Sequence, residues 1–251
     1  MRIHSVHKLI QYRLSISTKQ FNARGCKVVR CQYCQIEQQY CICDYQPDMD
    51  SSLSALILMS PSEVLKPSNT GRLIADVIKD THVFQWHRTE PDNALLELLD
   101  SPSYCPVIVF PQQYVTDPER IIRPLELEQL TLNTTSDDCL TKDKRLLFIF
   151  IDSNWREAKK IFRKSSYLSG LPVLSILPDK VSEYVMRKSD NEHHLSTAEV
   201  ASLVMEIVGD REAAKTLQAW FELFRESYLL SKTRMLRDLT RPALKNYLKG
   251  L

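Results

Sequence analysis

Four cysteines fall within thirteen residues in the stretch RCQYCQIEQQYCIC: Cys31, Cys34, Cys41 and Cys43, spaced C-x2-C-x6-C-x-C. Thiolates this close can converge on one tetrahedral ion, and Zn²⁺ held by four sulfurs forms a closed structural site. A closed site leaves no position for substrate, so the metal is expected to order the segment rather than to catalyse. The chain has seven cysteines. An odd number argues against a disulfide framework. Cys26 is a less favoured fifth ligand, and Cys105 and Cys139 read as structural or incidental residues. A second reactive stretch is LLFIFIDSNWREAKKIFRKS (146–165). Asp152 closes an apolar strand, which predicts a carboxylate at the sheet's C-terminal edge, where open α/β sheets bind ligands. Asn154 and Glu157 have capping-box spacing for a helix beginning near Trp155. On that helix Trp155, Ala158, Ile161 and Phe162 share one face. Arg156, Lys159, Lys160, Arg163 and Lys164 share the opposite face at i, i+3, i+4, i+7 and i+8. Five cations on one stripe predict an RNA-backbone site, and Asp152 beside it is a candidate catalytic residue. Trp155 either packs under a substrate base or anchors its helix. In KPSNTGRLIADVI (66–78), Ser68, Asn69 and Thr70 are candidate N-caps, flanked by Lys66 and Arg72, an arrangement suited to an anion. In HLSTAEVASLVME (194–206), Ser196 and Glu199 form another capping box. By position, the loops around Phe110 and Pro111, 174–177 (with Leu174 and Ile176) and Ser196, Thr197 and Glu199 are predicted to wall a ligand pocket. His193 and His194 read as surface groups.

These residues need a frame. SALILMS (54–60), THVFQW (81–86), PVIVF (106–110), LLFIFI (146–151) and PVLSI (172–176) read as buried strands of a mainly parallel sheet. Helical patterns at about 70–79, 92–100 and 154–165 lie between them, which is alternating β/α order. After 195 the pattern turns helical, over 197–208, 212–230 and 239–249; Leu217, Trp220, Phe224 and Tyr228 form a packing stripe. Residues 46–52 read as a linker and 131–145 as an exposed polar loop. The expected division is a basic arm and zinc knuckle over 1–50 and a catalytic domain over 51–251, with an α/β core to about 210 and C-terminal helices after it. The 251 residues are 43% hydrophobic and 25% charged, an ordinary globular mix that excludes a fibre or a disordered chain. Only five glycines are present, none forming GxG, which disfavours a Rossmann loop or a P-loop. Net charge is +2, yet Arg2, Lys8, Arg13, Lys19, Arg24, Lys27 and Arg30 precede the first acid, Glu37. Such an arm reads equally as a polyanion contact or as a solvated, partly disordered tail. Arg24, Lys27 and Arg30 are candidate RNA contacts. With no apolar span and no signal-peptide pattern, a cytoplasmic location without membrane partners is expected.

Together, RCQYCQIEQQYCIC, KPSNTGRLIADV, FQWHRTEP, VFPQQY, IDSNWREAKKIFRKSSYL and LSTAEVA resemble, in order, the DTW-domain family of tRNA-uridine aminocarboxypropyltransferases, most closely its bacterial variable-loop branch. The resemblance implies a SPOUT-like α/β-knot core, S-adenosylmethionine as donor and a structural zinc knuckle. It further implies transfer of the 3-amino-3-carboxypropyl group to N3 of a tRNA uridine. Cofactor contacts are then expected at Asn69, Thr70, Phe110, Pro111, Leu174, Ile176, Ser196, Thr197 and Glu199. Catalytic roles are expected at Asp152, Trp155 and Asn154. The signature D-x-T-W reads Asp152-Ser153-Asn154-Trp155 here; if the threonine caps the helix, asparagine does so equally well. Two other classes remain open: a SPOUT-like RNA methyltransferase or ribosomal-RNA enzyme, and a non-catalytic zinc-knuckle RNA-binding protein. The partner in either case is RNA rather than DNA, and the chain acts as a monomer or homodimer.

Overall fold

The computed structural model describes residues 1–18, 28–127, 130, 144–176, 195–232 and 238–250. Arg24, Lys27, Cys26, Cys139, His193, His194, most of the expected 131–145 loop and residue 177 lie outside them. Six strands form one sheet: β1 (Ser54–Met59), β2 (Thr81–Gln85), β3 (Tyr104–Val109), β4 (Ile121–Ile122), β5 (Arg145–Asp152) and β6 (Val173–Leu174). Their order is β2-β1-β5-β3-β6-β4 and every pairing is parallel. Parallel strands are buried on both faces, which is why these segments are continuous apolar runs. All six residues of β1 are buried. Alternation then divides the core in two. Ala55, Ile57, Met59, Val107, Val109, Phe148 and Phe150 face one layer, while Leu56, Leu58, Ile108, Leu147 and Ile149 face the other.

The second face is covered by α3 (Asn93–Leu99) and α4 (Trp155–Lys164), through Leu95, Ala158, Ile161 and Phe162. The first is covered by α2 (Arg72–Val77), α5 (Thr197–Ile207) and α6 (Arg211–Leu230). Leu217, Trp220 and Phe224 of α6 are buried there, as their helical spacing predicts. Helix α7 (Pro242–Gly250) places Tyr247 against Trp220. The α/β class and parallel sheet therefore follow the sequence reading. The joining residues 177–194, on whose path the expected knot depends, lie outside the described residues.

Of the two readings of the basic arm, the solvated tail does not hold for its first residues. Residues Ser5–Ser15 form a helix, α1, with Val6, His7 and Ile10 buried. Arg2 is no free cation: its guanidinium donates to the carbonyls of Ala75 and Asp76 at 2.9 and 2.8 Å, serving the C-terminal end of α2. Asp76 is a buried hub, accepting from His4 (3.0 Å), Gln46 (2.7 Å) and Trp220 (2.9 Å). Burial works to raise its carboxyl, but these bonds hold it below the ordinary carboxylate value. No described helix is long and apolar enough to cross a membrane.

Candidate active site

The parallel registers bring the C-terminal ends of β1, β5 and β3 side by side, Met59 opposite Asp152 and Val109 opposite Phe150. A cleft of about 620 Å³ opens over these ends. Its walls come from the loop after β1 (Glu63, Lys66, Ser68, Asn69, Thr70), the loop after β3 (Phe110, Pro111, Gln113, Tyr114), the β5–α4 junction, Ile176, and the start of α5 (Ser196, Thr197).

Asp152 forms part of the floor and is 3% exposed. Its Oδ2 accepts from Asn69 Nδ2 at 2.5 Å and its Oδ1 from the Thr197 hydroxyl at 2.6 Å. Burial pushes this carboxyl above its ordinary value. The Asn69 and Thr197 bonds favour the charged form and oppose that rise, Glu63 adds to it, and Lys66 works against it. Gly71 lies directly against the carboxylate. A Cβ built there would meet Asp152 Oδ2 at 2.5 Å, so the space, not the backbone angle, requires glycine.

Asn154 caps α4: its Oδ1 accepts from Glu157 N at 3.0 Å, so asparagine meets the capping need of that position. Trp155 packs in the aromatic cluster that anchors the start of α4 and borders the cleft. Its ring stacks on Phe110 at 5.7 Å and meets Tyr114 edge-on at 5.3 Å. On the outer side of α4, Arg156, Lys160, Arg163 and Lys164 are exposed and Lys159 is half-buried. Among the described residues none of the five forms an ion pair. Lys159 Nζ sits 5.5 Å from the Tyr114 ring and Arg163 5.9 Å from it, so the basic stripe adjoins the aromatic wall. Arg30 spends one guanidinium nitrogen on the Gln35 carbonyl at 3.1 Å.

Of the residues expected at the pocket, Asn69, Thr70, Phe110, Pro111, Ile176, Ser196 and Thr197 line the cleft. Two do not. Leu174 is fully buried within the sheet, and Glu199 is turned back to accept the Ser196 N–H at 2.6 Å, closing the capping box of α5. Arg72 is also corrected. It is 2% exposed and donates to the carbonyls of Asn69 (3.0 Å), Cys34 (2.9 Å), Lys66 (3.4 Å) and Pro67, so it joins the cysteine segment to the cleft loop instead of facing an anion. Gly71 holds the N-cap position of α2, but Asn69, one of the three expected caps, supplies the side-chain bond: its Oδ1 accepts from Arg72 N at 3.2 Å. Glu63 and Tyr114 were not anticipated. Glu63 precedes Lys66 by three residues in PSEVLKPSN, which was the available signal; Tyr114 ends VFPQQY without a periodic partner.

The four cysteines converge. Their sulfurs all lie within 4.8 Å of one another, with Cys31–Cys43 at 3.5 Å and Cys34–Cys41 at 3.8 Å. Tetrahedral Zn–S bonds of about 2.3 Å place sulfurs about 3.8 Å apart, so the set fits such an ion. The turn that aims Cys31 and Cys34 places Gln35 at φ 59°, with its N–H on the Cys31 carbonyl at 3.1 Å.

Comparison with known proteins adds the lineage. Over 198 residues the chain is 25% identical to tRNA-uridine aminocarboxypropyltransferase 2 of Drosophila melanogaster, covering 75% of this chain and 70% of that protein. No solved structure matches it significantly. A model of the DTW domain matches residues 28–229, which take in the cysteine cluster, the whole sheet and every wall of the cleft. By that match the chain belongs to the DTW domain family.

Proposed function

We propose that this protein transfers the 3-amino-3-carboxypropyl group of S-adenosylmethionine to N3 of a tRNA uridine in the variable loop, releasing 5′-methylthioadenosine. The observation that carries the reading is the Asp152 carboxylate, buried, oriented by two donors and raised in pKa on the floor of a large cleft. The relative in Drosophila, named for a tRNA uridine and an aminocarboxypropyl group, supports the substrate class.

The chemistry follows from the donor. The sulfonium activates three carbons, so the outcome depends on which one faces the nucleophile. The uridine N3 forms a bond to the aminocarboxypropyl carbon next to sulfur as the carbon–sulfur bond breaks, and the electron pair returns to sulfur as a neutral thioether. The N3 proton leaves to Asp152. A uridine imide is a weak acid, and a carboxyl raised above its ordinary value is a better-matched base for it than an unshifted one. The Asn69 and Thr197 bonds hold that carboxylate in one orientation. Trp155 and Tyr114 offer ring faces on which a base can stack. The cationic face of α4 takes the tRNA backbone, aided by Arg24, Lys27 and Arg30 of the basic arm. Zinc at the four cysteines would order residues 31–43 and has no part in the transfer. In this reading residues 1–50 supply the arm and knuckle and 51–251 the catalytic domain, acting in the cytoplasm.

The test is nucleoside mass spectrometry of unmodified tRNA after incubation with the protein and S-adenosylmethionine. A uridine bearing the aminocarboxypropyl group is expected. A methylated nucleoside, or tRNA left unchanged, would overturn the proposal.

A further inference from the structure

The cleft has two unlike ends. Phe110, Tyr114 and Trp155 make one end aromatic. The loop after β1 makes the other polar. In that loop Glu63 N bonds Ser60 O, Lys66 N bonds Glu63 O and Asn69 N bonds Lys66 O, at 2.9–3.0 Å. These successive turns bring Glu63, Lys66 and Asn69, three residues apart, to one cleft wall. Glu63 is only 7% exposed. Its Oε1 accepts from Lys66 Nζ at 2.8 Å, and Asn69 Nδ2 lies 3.4 Å from its Oε2 while donating to Asp152.

A carboxylate so withdrawn from water is costly unless well paired. Lys66 is a weak permanent partner for it, because half of the lysine side chain is open to solvent. A ligand able to exchange partners with this pair would leave both charges satisfied. The proposed donor carries such groups. Its amino-acid end has an ammonium and a carboxylate, and its sulfur is cationic. The wall offers a carboxylate at Glu63, an ammonium at Lys66 and a carboxylate at Asp152, the opposite sign at each place.

Resting on the function proposed above, we infer that Glu63 and Lys66 form the subsite for the donor's amino-acid end, Glu63 accepting from its ammonium and Lys66 donating to its carboxylate. The subsite holds the piece that is transferred, whereas the departing methylthioadenosine touches neither residue. Anchoring the far end of the chain fixes which carbon on sulfur faces the acceptor.

Calorimetric titration of the whole protein with S-adenosylhomocysteine, which has the amino-acid end, and with methylthioadenosine, which lacks it, tests this. The parent is expected to bind both. Glu63→Gln and Lys66→Met should each weaken S-adenosylhomocysteine about 10- to 100-fold, the range for losing a hydrogen bond to a charged group, with methylthioadenosine unchanged. Two results would overturn the assignment: unaltered binding of S-adenosylhomocysteine in both variants, or equal losses for the two ligands, which mark a structural role. A parent protein that binds neither ligand would instead sink the functional reading, and this subsite with it.

Discussion

Burial and hydrogen bonding pull the Asp152 carboxyl in opposite directions, and burial wins. The folded value therefore lies above the ordinary 3.8. For an acid shifted upward, the folded state binds the proton more readily than the unfolded chain. Stability then falls as pH rises through the folded value, and the ionised group is a net cost at neutral pH. Asp152→Asn keeps the shape, and its amide can still accept from Asn69 and donate to the Thr197 oxygen. Its melting temperature should exceed the parent's at pH 7, and the difference should vanish below the ordinary carboxylate range. Turnover should fall about 10²–10⁴-fold, the effect of losing a general base, and recover partly at high pH as the uridine imide ionises unaided. Steady-state rates and thermal melts across pH check both parts; near-parental turnover would refute the base. Gly71→Ala probes the same atom by displacement. A Cβ 2.5 Å from Oδ2 must move the carboxylate, and a shift of that kind should cost about 10²-fold in turnover. An unimpaired variant would show that the carboxylate's position is not critical. Asp152 was legible in the sequence because it ends an apolar run. The clash at Gly71 was not, because the two residues are distant in the chain and meet only through the β1–β5 register.

Helix α4 has one buried and one cationic face, and both can be read from residue spacing alone. Replacing Lys159, Lys160 and Arg163 with Ala should weaken tRNA binding. It should also flatten the salt dependence by roughly one unit of slope per lost phosphate contact. Affinity for S-adenosylhomocysteine should hold. Filter binding at several salt concentrations measures this, and an unchanged slope would mark the face as merely solvated. Helix α1 was illegible for a physical reason. His7 is buried on it beside Val6 and Ile10, and the N-cap His4 is buried too, so its inner face is partly polar and its sequence gives no apolar stripe. The short β4, two residues long, lies below the length at which a strand pattern differs from chance, whereas β6 falls inside the expected strand at 172–176.

Across the whole molecule the cysteine segment is built into the core of the α/β body. Cys31, Cys34, Ile36 and Ile42 share a buried cluster with Trp220 and Phe224 of α6, and Arg72 ties the Cys34 carbonyl to the cleft loop. Ligand spacing announced the four thiols, but nothing local in the chain announces contacts to a helix so far downstream. The Cys31→Ser, Cys34→Ser double variant should lose its metal, from about one zinc per chain to nearly none. It should also melt at lower temperature, because ion binding contributes to folding. Metal analysis with a thermal melt checks this, and full zinc in the variant would refute the site. The cleft, the base and the cationic helix have one joint consequence, which is the identity of the small molecule released. The direct measurement is chromatography of the reaction of S-adenosylmethionine with tRNA: methylthioadenosine, formed in step with modified uridine, is the expected product, and S-adenosylhomocysteine in its place would contradict aminocarboxypropyl transfer.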